Sequence, residues 1–248
     1  MLAKSNQKLR DTVMGASPPH HVGQRQKFPG PGADTRLIAV VCIVAAGLLT
    51  ATAIWPEIDL AIARRLLLPP ESAWRPLVLE VREWTRVAPS LFCAGLVVWF
   101  LGSAVGKPVR AKSDVSRAIY VAAVLAVGPG LLVNAGLKNQ SHRPRPIQSA
   151  EVVDAGSAFR PFYRFDGACS RNCSFSSGEA ASAFWTAAPA LLSPPVLRLV
   201  AVGFAITFGC AVSFLRLALG AHFLSDVAFS ALALLLLALA GRRLLKIH

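Results

Sequence analysis

The sequence predicts an all-α fold, a six-transmembrane helical bundle with a disordered N-terminal tail. Hydrophobic residues make up 54% of the chain and charged residues only 16%, whereas a soluble domain of this length usually carries more charge on its surface. Charges are also absent from several long stretches, and about 20 apolar residues are enough for a helix to cross a hydrocarbon core of about 30 Å. We therefore interpret residues 37–248 as one membrane domain.

The tail, residues 1–36, precedes the first apolar stretch and contains the segment PPHHVGQRQKFPGPG. This segment has no hydrophobic periodicity and is rich in proline and glycine, which predicts a disordered region. We expect no catalytic role for its His20 and His21. The apolar stretch that follows is too long for a signal peptide and begins far from the N-terminus, so it is interpreted as an uncleaved helix.

Six stretches are candidates for membrane helices. Five of them hold 17 to 20 residues without Asp, Glu, Lys or Arg, and in the sixth only Asp226 interrupts the apolar run. The predicted helices cover residues 37–55, 87–106, 118–137, 180–197, 199–216 and 223–241. The segment 57–86 mixes charged and apolar residues with two tryptophans, which is typical of a segment that lies at the membrane interface.

The net charge of +13 does not indicate a nucleic-acid partner, because the positive excess follows the predicted membrane topology. If the six helices cross the membrane in alternating directions, the excess of positive charge falls on one side of the membrane. It lies in the tail, in residues 107–117, at Arg198 and in residues 242–246. The positive-inside rule makes this side cytoplasmic. We therefore predict an integral protein of a bacterial inner membrane with a cytoplasmic tail. The oligomeric state is not predicted.

Three groups of polar residues interrupt the apolar chain, and alternation of the helices places them on the opposite, extracytoplasmic face. They are Lys138, Arg143 and Arg145; Ser176, Ser177, Gly178 and Glu179; and Arg216, His222 and Asp226. Polar groups at membrane depth are costly and usually face a functional cavity. Basic residues at helix ends can be simple interfacial anchors, and a lone histidine can be structural, but three such groups on one face favour a common site.

The cationic residues suit a phosphate group. The ammonium of Lys138 and the guanidinium groups of Arg145 and Arg216 match phosphate oxygens. Ser177 and Gly178 begin a predicted helix, where free backbone N–H groups can bind an anion.

His222 and Asp226 supply a candidate nucleophile. Four residues apart, they share one face of a helix. An aspartate that accepts a hydrogen bond from one imidazole nitrogen leaves the other nitrogen free to attack. The pattern therefore predicts displacement at phosphorus through a phosphohistidine.

Two cysteines, Cys169 and Cys173, lie in the predicted outer loop. In an oxidising compartment they could form a disulfide, although a separation of four residues makes the geometry demanding. No further ligands follow with the spacing of a metal site, so no metal is predicted.

The site residues resemble the three-part motif of the type 2 phosphatidic acid phosphatases, a family related to bacterial acid phosphatases and vanadium haloperoxidases. The resemblance covers about residues 85–241 and rests on Lys138-x6-Arg145-Pro146, Ser177-Gly178 and Arg216-x5-His222-x3-Asp226. It implies a helical membrane fold and a lipid phosphate or diphosphate substrate, hydrolysed without a metal or other cofactor. It also implies attack by His222, support by Asp226 and phosphate binding by Lys138, Arg145, Ser177, Gly178 and Arg216.

The sequence departs from this motif in two places. The second part usually reads Pro-Ser-Gly-His, but Glu179 stands where the histidine that protonates the leaving oxygen is expected, and Leu215 replaces a serine before the arginine. A protonated Glu179 could act as the general acid instead. The substitution could equally indicate a lower pH optimum or a diphosphate substrate with a better leaving group.

These observations predict a membrane phosphatase that acts on a lipid at the extracytoplasmic face. Candidate substrates are undecaprenyl diphosphate, phosphatidylglycerol phosphate, phosphatidate and lipid A. The alternative is a non-catalytic phospholipid-binding or transport protein that lost the general-acid histidine. Halide oxidation with vanadium is less favoured, because the relatives that perform it are soluble.

Overall fold

The computed structural model describes residues 32–105, 108–154 and 156–247, and only the backbone of residues 108–111. The predicted tail, with His20 and His21, lies outside these residues except for its last five positions. The described chain is helical without a strand, which confirms the all-α class. Its helices are α1 (Ala33–Ile54), α2 (Glu57–Leu66), α3 (Arg75–Ala104), α4 (Pro108–Leu125), a π-helical segment (Ala126–Leu137), α5 (Lys138–Gln140), α6 (Ala150–Val153), α7 (Gly178–Phe184), α8 (Ala187–Ala190), α9 (Pro195–Ala218) and α10 (Leu224–Leu244).

Six membrane-spanning helices are not confirmed. Among the described residues, five helical stretches are long and apolar enough to cross a membrane: Ala33–Ile54, Arg75–Ala104, Lys112–Gln140, Pro195–Ala218 and Leu224–Leu244. The predicted helix 180–197 is instead divided into α7 and α8, and its last residues belong to a turn and to the start of α9.

Local chemistry explains why this predicted helix is interrupted. The hydroxyl of Thr186 donates to the carbonyl of Ala183 at 2.6 Å, which offers the backbone an alternative to the helical pattern. Pro194 and Pro195 then end the segment, because proline has no N–H group and disfavours helix at the preceding residue. Residues 180–191 are largely buried in the protein, so their irregular backbone need not face lipid.

The second predicted membrane helix begins earlier than expected. The predicted interfacial segment 57–86 is divided between α2, a turn, and the first twelve residues of α3. Pro76 lies in the first turn of α3, a position that suits proline because its fixed φ is already helical. No proline or glycine separates this start from the apolar part of α3, so one 30-residue helix carries both. The charged end of α3 consequently extends beyond its apolar part.

Buried hydrogen bonds tie the central helices together. The indole N–H of Trp185 donates to the carbonyl of Val121 at 2.9 Å. The hydroxyl of Tyr120 donates to the carbonyl of Ala238 at 2.9 Å. Both aromatic side chains are fully buried, so each polar tip needs such a partner. In contrast, the outer faces of α1, α3 and α9 expose large apolar side chains, among them Ile43, Val98 and Phe204, as lipid-facing surfaces do.

Candidate active site

The three predicted polar groups meet at one end of the bundle, where α5 ends and where α7 and α10 begin. A Cβ atom built on Gly178 would lie 3.2 Å from Lys138 Nζ. Arg216 Nη1 lies 3.1 Å from a carboxylate oxygen of Glu179. The structure therefore brings together residues that are up to 83 positions apart in the sequence, since Arg143 donates to Asp226.

The start of α7 is shaped by a serine and a glycine. Ser177 caps the helix, because its hydroxyl accepts from the backbone N–H of Ala180 at 3.3 Å. A Cβ on Gly178 would lie 2.6 Å from Asn134 Oδ1, so only glycine lets Asn134 and Lys138 approach the helix start this closely. Asn134 is a site neighbour that the sequence reasoning missed. The sequence could have indicated it, because Asn134 is the only amide side chain in the apolar stretch 118–137.

A tight link between α9 and α10 places Arg216 and His222 together. The backbone N–H of Ala221 donates to the carbonyl of Arg216 at 3.0 Å. Gly220 has a φ of +62°, and a Cβ there would lie 2.4 Å from the Ile147 side chain. Both features require glycine at this position.

Arg145 is held by the outer loop. Its Nε and Nη2 atoms donate to the carbonyl of Asn172 at 3.2 and 3.0 Å. Asn172 lies between Cys169 and Cys173, which form a disulfide with their Cα atoms 5.7 Å apart. The backbone N–H of Cys169 also donates to the carbonyl of His142 at 3.0 Å. The disulfide loop therefore supports the segment 138–146, called here the basic loop.

Glu179 lies between two arginines. Its Oε1 atom accepts from Nη2 and Nε of Arg82 at 3.0 and 3.3 Å, and its Oε2 atom faces Arg216 at 3.1 Å. Arg82 comes from the charged end of α3 and was not predicted as a site residue. Its sequence context, a segment of mixed charged and apolar residues, gave no local signal that it reaches α7.

His222 is fully enclosed at the site, with 1% of its surface exposed. Its Nδ1 atom lies 2.7 Å from the carbonyl oxygen of Ser174 and 3.5 Å from Asp226 Oδ2. Because a carbonyl can only accept, Nδ1 carries the proton and Nε2 carries the lone pair. Burial lowers the pKa of His222 from its ordinary value, which favours the neutral, nucleophilic imidazole. Ser174 was not predicted to have this role.

Asp226 accepts several hydrogen bonds at the start of α10. Its Oδ2 atom accepts from the backbone N–H of Phe223 at 2.8 Å and from the hydroxyl of Ser174 at 2.5 Å. Its Oδ1 atom accepts from Arg143. Asp226 thus fixes the segment around His222 and places a carboxylate beside the imidazole.

The site retains a free hydrogen-bond donor. In the described part of the chain, Arg216 is 4% exposed, and its Nε atom has no hydrogen-bond partner. An unpaired buried donor is costly, and a bound anion would remove that cost. The described residues contain no group of three His, Cys, Asp or Glu side chains arranged for a metal ion.

An apolar groove of about 680 Å³ lies between α3, the α8 region and α9. Its lining includes Ala88 and Phe92 of α3 and Phe204 of α9. Ala88 follows Arg82 by six residues on the same helix, which corresponds to about 9 Å. The groove therefore lies along the apolar parts of α3 and α9.

Relatives of this chain are phosphatases of lipid A. A lipid A 4'-phosphatase of Francisella tularensis subsp. novicida is 34% identical over 147 residues, which cover 59% of this chain and 65% of the relative. A lipid A 4'-phosphatase of Rhizobium leguminosarum is 42% identical over 103 residues, 42% of this chain and 44% of the relative. The chain thus spans less than two thirds of the length of these relatives. No solved structure matches it.

The sequence also matches the PAP2 superfamily over residues 117–246. This region contains the basic loop, the start of α7 and the link between α9 and α10, whereas Arg82 lies before it. Because the match covers more than half of the chain, the protein belongs to the PAP2 superfamily.

Proposed function

We propose that this protein is a lipid phosphatase that removes a phosphate group through attack by His222. The observation that carries the proposal is the setting of this histidine. Its Nδ1 proton is held by the carbonyl of Ser174 at 2.7 Å, beside a site to which Lys138, Arg145 and Arg216 contribute cationic groups. A neutral imidazole next to an anion-binding cage is suited to nucleophilic displacement at phosphorus.

In the proposed first step, the lone pair on His222 Nε2 forms a bond to phosphorus while the bond from phosphorus to the lipid oxygen breaks. The electron pair of that bond stays on the lipid oxygen, which takes up a proton. Arg216 and Lys138 stabilise the charge that develops on the phosphoryl oxygens. In the second step, water attacks phosphorus, the bond to Nε2 breaks, and inorganic phosphate leaves.

Glu179 is the proposed proton donor for the leaving oxygen. Its carboxylate is paired with Arg82 and Arg216. A phosphate bound by Arg216 would take over that guanidinium and place its own negative charge next to the carboxylate. Glu179 would then lie beside the bound phosphate, at the position where the family's motif has the histidine that protonates the leaving oxygen.

A phosphorylated lipid A is the first substrate to test, because the relatives described above carry the name lipid A 4'-phosphatase. The apolar groove along α3 and α9 supports a lipid substrate, since it offers a surface on which an acyl chain can lie. Undecaprenyl diphosphate, phosphatidylglycerol phosphate and phosphatidate remain the other candidates.

We further propose that the site faces away from the cytoplasm. It lies at the C-terminal end of the stretch Lys112–Gln140 and at the N-terminal end of α10. The basic residues Arg242 and Arg243 lie at the opposite end of α10, and Lys112 and Arg117 lie at the opposite end of the other stretch. The positive-inside rule assigns those ends to the cytoplasm.

The function is tested by measuring phosphate release from these four lipids with purified protein in detergent, with and without EDTA. We expect release from at least one lipid, undiminished by EDTA. A wild-type protein that binds vanadate tightly but hydrolyses none of the lipids would instead support the alternative, a non-catalytic lipid-binding protein. The pairing of Glu179 with Arg82 and Arg216 is the observation that favours this alternative.

Replacing Glu179 is expected to slow the reaction mainly for substrates with a poor leaving group. Glu179→Ala should lower kcat about hundredfold on a phosphate monoester, which is typical of losing a general acid. On a diphosphate the loss should be much smaller, because that leaving group needs no proton. The measurement is kcat on phosphatidate and on undecaprenyl diphosphate for the wild type, Glu179→Ala and Glu179→His.

The His variant is the matched control, because it restores the residue that is usual in the family's motif. Equal loss on both substrates in Glu179→Ala, with no recovery in Glu179→His, would contradict a role as proton donor.

Removing the disulfide is expected to weaken the site. The Cys169→Ser/Cys173→Ser variant should lose about 2 kcal/mol of unfolding free energy, as expected for so short a closed loop. Its kcat/KM should fall roughly tenfold, because the Asn172 carbonyl no longer holds Arg145 in one orientation. Dithiothreitol should produce the same loss in the wild type and no further change in the variant. An undiminished kcat/KM in the fully reduced wild type would exclude this supporting role.

A further inference from the structure

A buried ion cluster lies directly behind His222. Arg143 of the basic loop donates from Nη2 to Asp59 of α2 at 2.7 Å and from Nη1 to Asp226 of α10. The side chains of Arg143 and Asp226 are 0% exposed and that of Asp59 is 1% exposed. Asp59 lies outside the region that matches the PAP2 superfamily, and neither Asp59 nor Arg143 was assigned a role from the family motif.

The surroundings of Arg143 hold it away from the phosphate site. Its Nε atom donates to the carbonyl of Arg160 at 2.8 Å and Nη1 also donates to the hydroxyl of Ser225 at 2.8 Å. Its guanidinium lies 4.3 Å from the ring centre of Phe223 and 5.3 Å from that of Phe159. A guanidinium that is enclosed in this way cannot also bind substrate, in contrast to Arg145 and Arg216.

Asp59 is equally fixed. Its Oδ1 atom accepts from the backbone N–H of Ser225 at 2.9 Å, and its Oδ2 atom accepts from the Ser225 hydroxyl at 2.6 Å. Ser225 precedes Asp226 in the first turn of α10. The contact therefore joins α2 to the turn that carries Asp226, and it places a second carboxylate on the same guanidinium.

The charges of this cluster do not cancel. Two carboxylates face one guanidinium, so one net negative charge remains behind His222. When Nε2 attacks phosphorus, the imidazole becomes positively charged, and a nearby net negative charge stabilises that form. Without Asp59, the charge of Arg143 would offset that of Asp226.

We propose, on the basis of the function proposed above, that Asp59 is a positioning residue for this phosphatase. By pairing with Arg143, it leaves the negative charge of Asp226 available to the cationic form of His222. Outside this cluster, the charged groups around His222 are mostly positive, so the net negative charge of the cluster has a large influence. They are the cations Arg216 of α9, Arg145 of the basic loop and Lys138 of α5, and the anion Glu179 of α7.

The test compares Asp59→Asn with the double variant Asp59→Asn/Arg143→Met. The single change removes the net negative charge, whereas the double change restores it by removing the cation as well. We expect Asp59→Asn to lower kcat/KM roughly tenfold to hundredfold, which is the size of effect expected when one nearby charge is removed from a protein interior. The acid limb of its pH profile should also move to lower pH, because the protonated imidazole loses support. The double variant should return the acid limb to the wild-type position and recover most of the rate.

The control is Asp114→Asn, which removes another buried aspartate that pairs with an arginine, Arg117, at 3.2 Å. Asp114 lies 24 residues before Lys138, far along the same helical stretch, so its variant should keep the wild-type pH profile. If Asp59→Asn does not fold, Arg143→Met is compared with the double variant instead. Both lack the cation and differ only at Asp59, so an acid limb at higher pH in Arg143→Met supports the proposal and equal acid limbs overturn it.

Two further results would overturn the assignment of Asp59. One is an Asp59→Asn variant with wild-type rate and pH profile. The other is a loss of rate with an unmoved acid limb and no recovery in the double variant, which is the pattern of a purely structural contact. A wild-type protein that hydrolyses no lipid would overturn the proposed function itself, and the role of Asp59 with it.

Discussion

His222→Ala is expected to abolish phosphate release, with kcat reduced by about ten-thousand-fold or more, as for other removed nucleophiles. The reason is that the Ser174 carbonyl holds the Nδ1 proton of His222 at 2.7 Å, which leaves the lone pair on Nε2 free to attack, and that the Asp226 carboxylate lies beside the ring. In the wild type, the acid limb of kcat/KM should lie below pH 6.5, the ordinary pKa of histidine. We expect the acid limb at this lower pH because burial lowers the pKa of His222. The imidazole therefore stays neutral in weak acid.

The measurement is phosphate release between pH 4 and 9, together with acid quenching to trap a labelled phosphoenzyme. The wild type should yield label on histidine, and His222→Ala should yield none. Vanadate binding and thermal unfolding of the variant serve as controls for its fold. A folded His222→Ala variant with more than a tenth of the wild-type rate would rule out His222 as the nucleophile.

Arg216→Ala is expected to have the second largest effect, a fall in kcat of hundredfold to thousandfold. Arg216 is 4% exposed and offers an unpaired Nε atom at the site, so its guanidinium is preorganised for the charge that develops on the phosphoryl oxygens. Arg216→Lys should recover only part of the rate, because lysine supplies a point charge without the planar fork. Steady-state kinetics with the best lipid of the panel would measure both variants.

Arg198→Ala is the matched control for Arg216. It lies on the same helix, 18 residues earlier, and its Nε atom donates to the carbonyl of Ser193 at 3.2 Å. Its activity should stay near that of the wild type. If Arg216→Ala keeps half of the wild-type kcat, the phosphate must bind elsewhere.

The basic loop shows what could be predicted from the sequence and what only the structure showed. Lys138, Arg145 and Arg216 could be predicted as phosphate ligands from residue type and spacing alone, since phosphate binding suits such groups. Arg143 was grouped with them by its charge. In the structure it is enclosed between the carboxylates of Asp59 and Asp226 and two aromatic rings, and it does not face the proposed phosphate site. The sequence shows which residues are charged, but it does not show which residue each charge pairs with.

The helix predicted at 180–197 shows a second limit. Its apolar composition predicted a membrane-spanning helix, but composition does not separate a lipid-facing span from a segment enclosed by other helices. The hydroxyl of Thr186 and the prolines at 194 and 195 interrupt it. The surrounding protein tolerates the interruption because it takes the place of lipid.

The sequence by itself determined the helical class, the membrane setting and the order of the residues that suit phosphate chemistry, because these depend on composition and on spacing within single helices. Only the tertiary structure decided that Arg82 reaches Glu179 and that Asp59 reaches Arg143. Those partners are 97 and 84 positions apart. Contacts over such distances depend on how helices pack against each other, and no local pattern records that packing.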